Sequence, residues 1–178
     1  MGGISGGYVP PASFEKAMVF IDGSNVFPNL REVGLKVPSF YKLGESTKGV
    51  RQLLRVYLYT TKEKLEAARA FHGEDCFSGC RVTLGDSVPL NNGSHREKGV
   101  DALLVADLIY HAAMKNFHQA IVISNDSDFA VALNRAEDFG CRTKVVSVIK
   151  RAPDRLIDAC DEFQFLTDAQ LRSVGLAR

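Results

Sequence analysis

Four aspartates stand where an apolar run gives way to polar residues or where a helix is predicted to begin: Asp22, Asp101, Asp126 and Asp128. Carboxylates gathered in one place raise each other's pKa values, and a bound cation removes that conflict. Oxygen ligands without a neighbouring histidine or cysteine suit Mg²⁺ or Mn²⁺ better than zinc. A metal held in this way supports phosphodiester hydrolysis, because it lowers the pKa of a bound water and offsets charge in the transition state.

The segments around two of these aspartates share one pattern. Residues 17–21 and 121–123 are short apolar runs, typical of strands buried on both faces of a sheet. Each run is followed within a few small polar residues by an aspartate, Asp22 or Asp126, and then by a helix-forming segment. In open α/β sheets, ligands bind at the edge where strands end and helices begin.

Asp101 lies near the start of a long predicted helix, residues 97–114. Crossover helices return the chain to the same edge of a parallel sheet, so we expect Asp101 to join the carboxylates that follow the strands. The alternative is a set of isolated helix ends: Ser127 or Asp128 is a good cap, and an acidic residue in a first turn favours the helix dipole. Asp107 falls on a different face of the same helix, which indicates a structural role.

Strand-like and helical segments alternate along the chain. Strands are predicted at residues 17–21, 54–59, 80–84, 121–123 and 143–149, and helices at 26–30, 61–71, 97–114, 129–139, 153–159 and 167–176. Residues 33–47 are predicted to form an irregular loop or a broken helix, residues 85–96 an exposed loop, and residues 161–166 a brief extended or turn segment. The alternation predicts an α/β fold with a mostly parallel central sheet flanked by helices on both faces.

The length of 178 residues suits one domain, predicted at 17–178, after a tail at 1–16 that we expect to be flexible. A net charge of +1 favours no particular partner. No apolar run reaches the ~18–20 residues of a membrane span, and the N-terminus lacks the pattern of a secretory signal. We therefore expect no membrane partner, a cytoplasmic location and reduced thiols.

The cysteines do not form a recognised metal motif. Cys141 and Cys160 lie in apolar surroundings and are predicted core thiols. His72, Cys76 and Cys80 are spaced by four, but no second close pair completes four zinc ligands. Zinc is therefore the weaker alternative at this point.

Three motifs together resemble a known family. FIDGSN at residues 20–25, KGVDALLVADLI at 98–109 and SNDSDF at 124–129 are similar to the NYN domains of the PIN-like nuclease superfamily, and most of all to its LabA/DUF88 group. The resemblance runs from about residue 17 to 166. One departure is Asn125, which stands where many LabA-type sequences have glycine.

This resemblance implies a Rossmann-like, three-layer PIN fold and a ribonuclease that needs Mg²⁺ or Mn²⁺. Its acidic site carries over to Asp22, Asp101 and Asp126 and extends to Asp128, as catalytic and metal-binding residues. The substrate is expected to be RNA, in single-stranded form. PIN-like nucleases often dimerise, so a homodimer is a further expectation.

For substrate binding the sequence offers polar and basic residues near the expected edge. Asn25 could orient a carboxylate or bind a phosphate oxygen, and Ser24 lies beside it; Arg96, Lys98 and Lys48 are the expected phosphate contacts, against the alternative of a solvated surface. Phe40 or Tyr41 could stack on a base or belong to the core.

Two other functions compete with the nuclease. One is an RNA-binding or regulatory protein that keeps the fold and the acidic pocket with little turnover. The other is a phosphatase or phosphotransferase; a haloacid-dehalogenase-type enzyme would need Asp-x-Asp after the first strand, but Gly23 and Ser24 follow Asp22 here.

Overall fold

The computed structural model describes residues 14–89 and 95–178, without the side chains of residues 89 and 95–97. The predicted tail is therefore largely outside the described residues. The strands are β1 (Lys16–Asp22), β2 (Gln52–Thr61), β3 (Cys80–Pro89), β4 (His95–Lys98), β5 (Gln119–Ile123), β6 (Arg142–Val148) and β7 (Glu162–Leu166). The helices are α1 (Gly23–Glu32), α2 (Phe40–Ser46), α3 (Lys62–His72), α4 (Val100–Ala113), α5 (Ala130–Asp138), α6 (Asp154–Ile157) and α7 (Asp168–Ser173), with a 3₁₀ turn at Ser127–Phe129 before α5.

The strands form one sheet in the order β4-β3-β2-β1-β5-β6-β7. All neighbouring pairs are parallel except β3 and β4, which are antiparallel. The predicted α/β fold with a mostly parallel central sheet is confirmed. β1 occupies the centre, and its residues from Ala17 onward are buried, as expected for a strand covered on both faces.

Alternation along β1 divides the core into two layers. Val19 and Ile21 pack with residues of α1, α2, α3 and α7, whereas Met18 and Phe20 pack with α4, α5 and α6 on the opposite face. Because side chains alternate with a period of two, Asp22 belongs to the face of Phe20. The carboxylate at the end of β1 is therefore directed to the α4 side of the sheet.

Two segments, one predicted as an exposed loop and the other as an irregular loop or a broken helix, contain regular structure. Residues 85–96 do not form an exposed loop throughout, since β3 continues to Pro89 and pairs with β4, Asp86 standing opposite Lys98. This pairing also delays α4, which begins at Val100 instead of residue 97. Within the irregular segment 33–47, Ser39 caps α2 by accepting a hydrogen bond from the Lys42 N–H.

Residues 161–166, predicted as a brief extended or turn segment, become β7 at the edge of the sheet. The pairing partner of β7 is β6, in parallel register from Lys144 opposite Glu162 to Val148 opposite Leu166. None of the helices in the described ranges is long and apolar enough to cross a membrane.

Candidate active site at the end of the central strands

Asp22 is the centre of the site. It is the last residue of β1, is only 2% exposed, and caps α1: its Oδ1 accepts the Asn25 backbone N–H at 3.2 Å. Its Oδ2 accepts the Ser124 hydroxyl at 2.7 Å. One carboxylate oxygen is thus held by the first turn of α1 and the other by the residue that follows β5.

The electrostatics of this carboxylate show which other acids lie near it. The pKa of Asp22 is raised from 3.8 to about 6, mainly by burial and also by the negative charges of Asp101 and Asp126, while the hydrogen bonds from Ser124 and Asn25 oppose the rise. Two acids that are 79 and 104 residues away in the sequence therefore act on Asp22 through space. Acidic side chains from β1, α4 and the end of β5 therefore interact through their charges.

Ser124 joins the two strand ends. Its hydroxyl donates to Asp22 and also accepts the backbone N–H of Asp126 at 3.0 Å. Asp126 in turn caps the 3₁₀ turn, since its Oδ1 accepts the Asp128 N–H at 2.9 Å. Asp126 is partly buried, whereas the Asp128 side chain is exposed at the rim. Ser124 belongs to the SNDSDF motif, but the sequence carried no signal that its hydroxyl would contact Asp22.

Asn25 holds the turn after β5. Its Oδ1 accepts the backbone N–H of Asn125 at 3.1 Å and the Asn29 side-chain N–H at 3.4 Å. Because Asn125 donates through its backbone, a glycine there could make the same contact. The side-chain oxygen of Asn125 is buried and has no hydrogen-bond partner among the described residues. Ser24, beside Asn25, is partly buried.

Asp107 contacts the sheet below the site. The Tyr59 hydroxyl donates to Asp107 Oδ2 at 2.8 Å, and Tyr59 pairs with Asp22 in the register of β1 and β2. Burial, followed by the bond and charge of Asp107, raises the pKa of Tyr59. This contact packs α4, which carries Asp101, against β2. Sequence reasoning did not identify Tyr59, because an aromatic residue in a buried strand looks like ordinary core.

The predicted substrate contacts separate in the structure. Lys98 is exposed immediately before α4, near the first turn that carries Asp101. Lys48 precedes β2 on the opposite edge of the sheet, because Gln52 pairs with Lys16 at the start of β1, about 20 Å from the end of that strand. The placement of Lys48 near the site is therefore corrected. The Arg96 side chain lies outside the described residues.

The two aromatic candidates for base stacking belong to the core. Phe40 is fully buried and packs against the rings of Phe27 and Phe77. Tyr41 packs against the first core layer, and a Cβ added at Gly79 would lie 3.0 Å from its ring. Neither ring is placed to receive a nucleotide at the Asp22 site.

Within the described ranges, no group of three or more His, Cys, Asp or Glu side chains is positioned to hold a metal ion. The zinc alternative is not supported, since His72 Nδ1 accepts the Val37 backbone N–H and Cys76 is buried in the core. The chemistry at Asp22 nevertheless fits Mg²⁺, which binds through one or two carboxylates and completes its shell with water and substrate phosphates. A cation would also relieve the repulsion between Asp22 and its acidic neighbours.

The sequence profile of the NYN domain matches residues 16–167. The chain belongs to the NYN family. This family is nuclease-like, and the match supports the PIN-like superfamily that the motifs of the chain resemble.

Two further similarities are to proteins that are described as uncharacterised or of unknown function. An uncharacterised protein of Sinorhizobium fredii is 33% identical over 57 residues, which are 32% of this chain and 27% of that protein. The chain thus spans about a quarter of the curated relative that it matches. A crystal structure of a protein of unknown function from Vibrio parahaemolyticus has a TM-score of 0.65 at 20% identity, over 90% of this chain and 98% of the other.

Proposed function

We propose that this NYN domain is a ribonuclease of the LabA/DUF88 group that hydrolyses single-stranded RNA with Mg²⁺ or Mn²⁺. The observation that carries the proposal is the buried Asp22 carboxylate, whose pKa is raised by burial and by the charges of Asp101 and Asp126. It lies at the edge of the sheet where ligands bind in open α/β folds. One or two of these three acids would bind the cation directly and the others through its water ligands, with Asp128 at the rim. The cation would supply Lewis acidity and neutralise charge on the phosphate.

The other residues position this acidic group. Ser124 orients Asp22 and holds the backbone of Asp126, so one hydroxyl sets the geometry between two strand ends. Asn25 fixes the neighbouring turn through Asn125. Lys98, exposed before α4, is the proposed phosphate contact, since a mobile ammonium group at the rim can pair with the RNA backbone.

The proposal extends to the setting of the enzyme. RNA is the expected partner, the functional unit is residues 17–178, and a homodimer is a second expectation that light scattering on the purified protein tests. The four cysteines are all free thiols, which supports a reducing compartment such as the cytoplasm.

The direct test is cleavage of a labelled single-stranded RNA with Mg²⁺, Mn²⁺ or EDTA. Cleavage is expected only with a divalent ion, and Asp22→Asn and Asp126→Asn are expected to abolish it. Asp168→Asn, on the surface of α7 and paired with Arg172, is the matched control and should cleave as the wild type does. Metal-dependent cleavage that survives Asp22→Asn would contradict the proposed site.

A second candidate is an RNA-binding or regulatory protein with little turnover. It is favoured by the absence, among the described residues, of a ready-made group of three metal-ligating side chains. RNA binding without cleavage under either metal ion would establish this alternative, and binding that Asp126→Asn leaves unchanged would place the RNA elsewhere.

A further inference from the structure

A second depression lies on the face of the sheet away from the acidic site. It is a cavity of about 240 Å³ between α1 and α3, and we name it the α1–α3 groove. The apolar residues that line it include Ala67, Phe71 and the buried Phe27. The proposed reaction uses none of these residues, and an apolar slot with aromatic walls in a folded domain is a binding-site candidate.

The rim of the α1–α3 groove is positively charged. The Arg31 guanidinium lies 5.9 Å and the Lys36 ammonium 5.7 Å from the centre of the Phe71 ring, and Lys64 lines the groove from α3. No aspartate or glutamate is among the described residues that line it. The groove therefore combines an apolar floor with a cationic rim, which suits an anionic ligand with a flat apolar part.

A buried histidine adds a hydrogen-bond donor. His72 lines the groove and is only 7% exposed, and its Nδ1 accepts the Val37 N–H at 3.1 Å. Burial and the charge of Lys36 lower the pKa of His72 to about 4, so the ring is neutral at pH 7. Since Nδ1 is the acceptor, Nε2 carries the proton, and it has no partner among the described residues.

The α1–α3 groove is within reach of a strand bound at the acidic site. Helix α1 begins directly after Asp22, and Phe27 and Arg31 follow its first residue by four and eight positions. At the rise of an α-helix these positions lie ~6 and ~12 Å along the axis. Because α1 and α3 lie on the face opposite α4, a strand of RNA bound at both places would pass over the end of β1.

We propose that the α1–α3 groove binds a nucleotide of the same single-stranded RNA, a few positions from the scissile bond. The base lies against the partly exposed ring of Phe71, with the buried Phe27 below it, and the adjoining phosphates pair with Arg31, Lys36 and Lys64. Aromatic stacking platforms beside cations are the usual means of holding single strands without reading their sequence. This inference rests on the proposed function, because it takes RNA as the ligand.

The test fills the groove from an exposed position. Ala67→Trp places a large side chain in the slot, whereas Ala70→Trp, on the same helix and also exposed, lies outside it. Binding of a fluorescein-labelled 12-nucleotide oligouridylate is followed by anisotropy in EDTA, so that no metal-dependent turnover occurs. The dissociation constant is expected to rise about ten-fold for Ala67→Trp and less than about two-fold for the control, with melting curves confirming that both fold.

A second pair of variants tests the cationic rim. Arg31→Gln should lower the slope of log Kd against log salt by about 0.7, the value for one phosphate contact on a single strand. Arg172→Gln, on α7, is the control and should leave that slope unchanged.

The outcomes separate this inference from the proposed function. Unchanged RNA affinity in Ala67→Trp and Arg31→Gln would overturn the groove, and so would a wild type that does not bind the oligonucleotide. If a labelled acidic peptide binds the wild type but not Ala67→Trp, while the RNA affinity stays the same, the groove would be assigned to a protein partner. Groove variants that weaken RNA binding, with no cleavage under any metal, would leave the groove in place and refute the nuclease alone.

Discussion

Replacing Asp22 by asparagine is expected to stabilise the protein relative to the wild type, by more at neutral pH than at acid pH. The same substitution is expected to abolish the proposed cleavage. The carboxylate is almost fully buried, and burial with two acidic neighbours raises its pKa from 3.8 to about 6. Above pH 6 the folded protein must therefore carry a charge that its surroundings disfavour. Asparagine has a similar shape without that charge.

The magnitude follows from proton linkage. At about 1.4 kcal/mol for each pH unit between the two values, the change from 3.8 to about 6 corresponds to about 3 kcal/mol. The folded state binds this proton more tightly than the unfolded chain, so the contribution is complete below pH 3.8 and is lost as the pH rises through 6. Between pH 4.5 and pH 7.5 the wild type should lose ~2 kcal/mol relative to the variant.

Urea unfolding in EDTA at pH 4.5 and pH 7.5, followed by circular dichroism, measures this difference. The pH-dependent part of the Ser124 hydrogen bond is already included in the pKa of about 6, so the change in the difference between the two proteins reports the net cost of ionising Asp22. Thermal melts should show the variant gaining roughly 4–8 °C relative to the wild type over this interval, at about 2–4 °C per kcal/mol.

Asp168→Asn is the control, since it removes an exposed carboxylate paired with Arg172. Surface pairs of this kind contribute about 0–1 kcal/mol, so its difference from the wild type should change little with pH. The reasoning would be refuted if the difference between Asp22→Asn and the wild type were the same at both pH values, or were smaller at pH 7.5.

Other substitutions test the surroundings of the site. Ser124→Ala should slow metal-dependent cleavage about ten-fold, because a hydrogen bond to a charged group is lost. It should also move the acidic limb of the pH–rate profile to higher pH, because the lost bond lowers the pKa of Asp22. Tyr59→Phe should cost about 1 kcal/mol in urea unfolding, as it removes the bond to the carboxylate on α4; an unchanged midpoint would show that the bond is not formed. Gly85→Ala places a Cβ 2.6 Å from a Val100 methyl group, so it should destabilise the protein by about 1–3 kcal/mol and displace the start of α4. Urea unfolding and the cleavage assay should then show a loss of stability together with a loss of activity.

The main architecture and the acidic edge could be predicted from local sequence patterns. Residues 17–21 are apolar at every position, which is typical of a strand covered on both faces. This run therefore predicted a buried central strand before its neighbouring strands were known. The aspartate that follows it, and the same pattern before Asp126, placed two acids at one edge because crossovers in parallel sheets share one direction.

Long-range pairing decided what the local patterns could not. Residues 161–166 and 85–96 contain no strong strand signal, and they form β7 and the β3–β4 hairpin arms because a neighbouring strand supplies hydrogen-bond partners. As an aromatic residue Phe40 could stack on a base, and only the packing of Phe27 and Phe77 against it shows that it belongs to the core.

The sequence alone therefore determined which residues could bind a cation, because each of these aspartates lies near the end of a predicted strand or the start of a predicted helix. Their mutual positions were decided by the tertiary structure. Ser124 meets Asp22 across 102 residues of chain, and Lys48 is carried to the opposite edge because β2 begins there. Such relations depend on strand register and helix packing, which bring distant residues together through contacts that no local segment contains.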